Sequence, residues 1–283
     1  MARSATHIFH TRHDFTPELG WAAFQLIHEL GRAGLPEGGL EEAARAITSP
    51  LARRSDLTKI LASLEDLGVI ARTGKAIILT ELGHALATGV GAYETGFCAA
   101  IHCLYVWQWL WESDREHGSP SWSYREVCRQ LLLGPPSGIS ADDLVLRVVE
   151  AAEGFQAERV SFSRSSVSGV TNWLAAQTPS LVELHGKNVA RVRGQAPGAS
   201  ALRLNLVAVC ALGGGRAALE GNSLEYLAES VLVPTDELWL SVVEYIRDSG
   251  EFCFVPGGRG AVVFERSDDA FVCWLAGAAV RSR

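Results

Sequence analysis

Several familiar chemical signatures are missing from these 283 residues. There is no Cys-X-X-Cys pair, no His-Glu-X-X-His and no Gly-X-Ser-X-Gly elbow, and Gly213-Gly214-Gly215-Arg216 lacks the following Lys-Ser/Thr of a phosphate-binding loop. Their absence removes the commonest zinc, hydrolase and nucleotide-hydrolysing chemistries that a short motif can reveal. The six cysteines are scattered, which argues against a disulfide framework, and Met1 to Arg12 is polar with no apolar core of a leader, so a cytoplasmic protein with reduced thiols is expected. Cations are also in short supply. The net charge is −7, which excludes a protein that coats nucleic acid indiscriminately, because that needs clustered Lys and Arg throughout. No Gly/Ser/Pro-rich tract is long enough to be a disordered linker.

What remains is weighted towards a folded core, since 48% of residues are hydrophobic and 20% charged. At about 150 residues per domain, two or three domains are expected. The one long apolar run, Thr95 to Trp111, contains His102 and Gln108 and falls short of the ~20 residues of a bilayer span. It reads as a buried helix, with Trp107, Trp109 and Trp111 as core or interface. A ligand pocket around these three tryptophans is the weakest alternative.

Charge is unevenly distributed. Residues 45–75 (Arg45, Arg53, Arg54, Lys59, Arg72, Lys75) and 156–203 (Arg159, Arg164, Lys187, Arg191, Arg193, Arg203) are basic islands, whereas 91–155 and 216–283 are acidic. His7, His10 and His13 share a spacing of three but lack companion ligands, so an N-terminal arm beside Phe9 and Phe15 is expected rather than a metal site. The adjacent acids Glu41–Glu42, Asp142–Asp143 and Asp268–Asp269 suit caps and solvated faces better than general acid/base work. No cofactor, metal or catalytic residue is expected.

In the first ninety residues, Thr16-Pro17-Glu18 is a helix start and the apolar spacing predicts a helix to about Arg32. A short helix over Leu40–Ile47 follows, then a turn at Thr48-Ser49-Pro50. Leu57, Ile60, Leu61, Leu64 and Leu67 form the stripe of a third helix stopped by Gly68. Val69–Arg72 and Ala76–Leu79 are then strands joined by Thr73-Gly74-Lys75, and a closing helix begins at Thr80. This order resembles the winged helix-turn-helix superfamily over about residues 16–88. The resemblance implies a recognition helix and wing that place Arg53, Arg54, Ser55, Thr58, Lys59, Arg72 and Lys75 at DNA.

The same grammar recurs over about 122–194. Tyr124–Leu133, Leu144–Phe155 after a Ser140 cap, and Ser163–Ala176 are helices, and 181–184 and 189–192 are strands around His185-Gly186-Lys187-Asn188. Candidate DNA contacts here are Arg164, Ser165, Ser166, Ser168, Thr171, Asn172, Lys187, Arg191 and Arg193. A third, weaker copy spans about 202–266 with Arg259 at its wing tip, but its acidic helix points to packing, dimerisation or a protein partner. The expected fold is therefore mainly α with small β-hairpins (α+β), as tandem winged helix-turn-helix modules. The expected boundaries are 1–90, a Trp-rich bridging helix at 91–121, 122–200 and 201–283.

A shorter resemblance rests on His13-Asp14-Phe15 and Leu19-Gly20-Trp21 followed by a Trp-rich helix. These are similar to an uncharacterised prokaryotic family encoded near DNA-modification and anti-phage defence cassettes. Together the readings imply a non-enzymatic binder of double-stranded DNA, either a transcriptional regulator or a DNA-binding subunit of a DNA-processing or antiviral defence complex, as a homodimer or within a protein complex and away from membranes. The alternative is a winged-helix protein–protein scaffold that does not bind DNA.

Overall fold

The computed structural model describes residues 6–7, 11–30, 35–36, 39, 54–73, 76–111, 120–154, 160–255 and 260–281. The expected helix at Leu40–Ile47, the turn after it, Arg53, Lys75 and Arg259 lie outside the described residues, as do the side chains of Arg54 and Ser55. The chain is mainly helical with small, largely antiparallel sheets, an α+β architecture.

A helix, a short strand, a further helix and a hairpin follow one another three times, the second and third regions having one more helix before the hairpin among the described residues. In the first region, α1 (Pro17–Leu30), β2 (Leu35–Pro36) and α2 (Arg54–Asp66) precede a hairpin of β3 (Ile70–Thr73) and β4 (Ala76–Leu79), and the sheet order is β2-β4-β3. The second has α5 (Pro120–Leu132), β5 (Ile139–Ser140), α6 (Ala141–Glu153), α7 (Arg164–Ala175), β7 (Val182–His185) and β8 (Asn188–Arg191), ordered β5-β8-β7. The third has α8 (Ala199–Leu212), β9 (Arg216–Ala218), α9 (Gly221–Val231), α10 (Thr235–Ser249), β10 (Phe252–Phe254) and β11 (Ala261–Phe264), ordered β10-β11-β9. In each, a strand of only two or three residues pairs antiparallel with the second arm of the hairpin. Strands this short carry no alternation, which is why the sequence pattern shows the hairpins and not their third members.

Local chemistry explains the boundaries. Leu57, Ile60, Leu61, Leu64 and Leu67 are all buried, each contributing ~2 kcal/mol of apolar burial, and Gly68 then turns the chain at φ +70°. The Ser140 hydroxyl accepts from Asp143 N and the Ser163 hydroxyl from Ser166 N, so both serines cap the helices they precede.

Two helices join the regions. Helix α4 (Glu94–Trp111) is buried around almost its whole circumference and packs against α5 and α8. Trp107 is fully buried, its indole donating to Asn205 Oδ1, so this ring is core and lines no open pocket. Among the described residues no helix is long and apolar enough to cross a membrane. Helix α11 (Ala270–Arg281) follows the third hairpin and packs back on α8 and on α3 (Glu81–Thr88). Asp269 ties these parts together, its Oδ1 accepting from Val90 N, Phe271 N and Val272 N. Arg203, counted above in a basic island, is instead an internal tie, bridging Glu251 at 2.6 Å and Asp269 at 3.3 Å.

His102, on α4, sits at the centre of the bundle with no exposure. Its Nε2 is 2.7 Å from the carbonyl of Ser230 on α9 and its Nδ1 2.8 Å from the hydroxyl of Tyr124 on α5. A carbonyl can only accept, so Nε2 carries the proton and Nδ1 accepts from Tyr124. Burial drives the imidazole down to about 4, so it is neutral at ordinary pH.

Candidate nucleic-acid interface

Helix α7 contains no acidic residue. Its inner face buries Ser166, Val167, Gly169, Val170, Trp173 and Leu174. The outer face carries Arg164, Ser165, Ser168, Asn172 and Ala175 in the open, with Thr171 half-buried at its edge. Spacings of one, four, seven, eight and eleven place them on one stripe, roughly 18 Å long at 1.5 Å per residue. Ser168 Oγ donates to Arg164 O at 3.1 Å and Thr171 Oγ1 to Ser168 O at 3.2 Å. With their protons used inside the helix, both hydroxyls face outward as acceptors, suited to the amino groups of cytosine or adenine, whereas an Asn172 amide can both donate and accept.

Arg164, at the helix start, is held by Asp142 through two guanidinium nitrogens, and this pairing raises its already high pKa. Both groups are exposed, and such pairs are worth only about 0–1 kcal/mol, so a phosphate can compete for the arginine. Beside the stripe, β7 and β8 close with His185 opposite Asn188. Gly186 in the two-residue turn has φ +64°, the positive first position that a type II′ hairpin needs. Lys187 and Leu184 are exposed at or near this tip, and His185 lies 3.0 Å from Glu183.

Two residues expected at a DNA surface are buried. Ser166 is 1% exposed with its hydroxyl 3.0 Å from that of Ser163, and Arg191 is 6% exposed. Burial and the neighbouring Arg193 lower the Arg191 pKa, while Glu237 and Asp236 of α10 act oppositely. Arg191 thus belongs to the junction with the third region. Arg193 is exposed and donates to Gly134 O at 3.3 Å.

The first region differs. Thr58 and Lys59 are exposed on α2, but Lys59 pairs with Asp14, Arg72 pairs with Glu65 at 3.1 Å, and Arg12 pairs with Asp66 at 3.3 Å. Arg12 also donates to Lys59 O. The contacts to Lys59 and Asp66 come from the segment 11–15, which threads between α2 and α7. On the α7 side, Trp173 Nε1 donates to Phe15 O at 2.8 Å, and a Cβ at Gly169 would stand 2.3 Å from Thr11 O. Only a residue without a side chain admits the segment there. Upstream, β1 (Thr6–His7) pairs in parallel with β6 (Val160–Ser161), just before α7. His13 sits beside Asp14 at 3.2 Å, and no cluster of three potential metal ligands occurs among the described residues.

A groove of about 470 Å³ lies at the C-terminal end of the α7 stripe, where Asn172 and Ala175 face Thr16, Glu18, Glu94 and Thr95. Its two carboxylates would repel phosphate. The N-terminal half of α7 and the Lys187 turn are therefore the parts of this surface suited to a polyanion. Sequence reading named these residues but missed Asp142, the acids opposing Lys59 and Arg72, and the segment at 11–15.

No protein-family profile matches the chain, and no curated protein matches it. Among solved structures, the chain is similar to one described as an SspB crystal structure, with a TM-score of 0.60 at 14% identity, over 99% of this chain and 91% of that one. At that identity the likeness is one of fold, and it extends over the whole succession of regions rather than a single one.

Proposed function

We propose that the three repeats are tandem winged helix-turn-helix modules and that the chain binds double-stranded DNA without enzymatic activity, as a transcriptional regulator or as a DNA-binding subunit of a DNA-processing or defence complex. The observation that carries this reading is the outward face of α7, an acid-free stripe of Arg164, Ser165, Ser168, Thr171 and Asn172 flanked by a hairpin with Lys187 at its turn. In this reading α7 enters the major groove by its N-terminal half, and Arg164, Lys187 and Arg193 meet phosphates. The first module adds Arg53, Arg54, Ser55, Thr58 and Lys75, while Lys59 and Arg72 exchange their present carboxylates for phosphate.

Fluorescence anisotropy with duplex DNA across a salt series tests this. Log affinity should fall linearly with log salt, and Lys187→Ala should flatten the slope by about one contact. Ser168→Ala combined with Asn172→Ala should weaken binding to selected sites more than to random duplex. Absence of binding at low salt, or indifference to these substitutions and to Arg53→Ala with Arg54→Ala, overturns the proposal.

A further inference from the structure

Helix α10 occupies in the third region the place that α7 holds in the second, but its outward chemistry is opposite. Leu240 is 65% exposed. Asp236, Glu237 and Glu244, four and three residues before it and four after, surround it on the helix surface. Trp239 and Phe254 are also exposed, and their rings, 6.3 Å apart, carry the apolar surface from the helix onto β10. Asp248 pairs with Arg247. Asp236 and Glu237 face the buried Arg191 across the junction with the second region, too far for an ion pair, and Glu244 has no cation within ion-pair distance among the described residues.

A single exposed leucine needs no explanation, but an aromatic pair and a leucine rimmed by three acids that outnumber the one buried cation near them is the composition of a binding surface. Those acids restrict what can cover it. Nucleic-acid phosphates and anionic lipid headgroups are repelled. A second copy related by a twofold axis would set the acidic rim against itself, since such an interface uses the same patch twice. A cationic partner satisfies both components.

We propose that this face docks a cationic amphipathic helix of another protein, whose apolar side chains pack on Trp239, Leu240 and Phe254 and whose Lys or Arg residues meet Asp236, Glu237 and Glu244. It uses none of the α7 stripe, and would let the chain hold a protein while the second module holds DNA.

The test uses the whole chain and two fluorescein-labelled amphipathic helical peptides, one of Leu and Lys and one with Glu replacing Lys, at about 150 mM salt. The cationic peptide should bind and the acidic one should be weaker by about tenfold or more. Leu240→Asp adds a negative charge yet removes the apolar anchor, so it should weaken the cationic peptide about tenfold. Glu244→Lys, away from Arg191, should weaken that peptide severalfold, and thermal melts of Leu240→Asp and Glu244→Lys should match the parent. Three results overturn the proposal: no binding of the cationic peptide, binding unchanged or tighter in Leu240→Asp, or self-association that Leu240→Asp abolishes, which would make a second copy the occupant.

Discussion

Acid should weaken this fold through His102 specifically. The ring is fully buried, with both nitrogens occupied by Ser230 O and the Tyr124 hydroxyl. Protonating Nδ1 would leave a charge without solvent and force the Tyr124 hydroxyl to turn its own proton away. The folded-state value of about 4 lies below the ordinary 6.5 of histidine. At pH 8 both folded and unfolded chains carry neutral imidazole, so this group contributes no pH dependence. As pH falls through 6.5 the unfolded chain takes up a proton that the folded chain refuses, and stability declines until the folded ring titrates near 4. Linkage gives a loss of about 2 kcal/mol between pH 7 and pH 5, approaching about 3 kcal/mol below pH 4.

His102→Gln isolates the effect. A glutamine amide can donate to Ser230 O and accept from Tyr124 but does not titrate. Urea denaturation of both proteins at pH 7, 6 and 5 should show the parent losing about 2 kcal/mol more than the variant over that interval. Identical pH dependence in the two would refute the reasoning, whatever their absolute stabilities.

Gly169→Val should disrupt the seat of residues 11–15, because its Cβ alone would fall 2.3 Å from Thr11 O. A loss of ~2 kcal/mol is expected from such overpacking, with faster amide exchange in 11–15 as the distinguishing readout. Asp14→Asn should release Lys59 from its carboxylate, raising DNA affinity by about threefold at low salt with little effect near 0.5 M salt, since exposed ion pairs are weak and screened. Arg203→Met should be strongly destabilising, because it strands Glu251 and removes the cation beside Asp269, both mostly buried. A loss of ~3 kcal/mol by chemical denaturation is expected, partly recovered when pH is lowered enough to protonate Glu251.

Much of the local structure was legible in the order of residues. The leucine stripe of α2, the Gly68 stop, the Ser140 cap and the three hairpins depend on neighbours within about four positions, and periodicity and turn chemistry report such neighbours directly. The apolar run ending in Trp107, Trp109 and Trp111 also declared itself as core. Which face of α7 is open followed only partly: the Ser/Thr/Asn content marked the helix, but whether Ser166 or Ser168 points outward depends on where Trp173 and Val170 find their packing.

The rest was decided in three dimensions. Whether Lys59, Arg72, Arg164 and Arg203 are free cations turns on Asp14, Glu65, Asp142, Glu251 and Asp269, most of them far away in the chain, and no local pattern encodes those meetings. Arg191 became a buried residue because the second hairpin lies against the third region, and the thread at 11–15 found its groove because Gly169 leaves room for it. Composition and periodicity determined which segments become helices and hairpins. Tertiary packing alone determined which charges remain available to a partner, because availability depends on every surface that closes over a side chain.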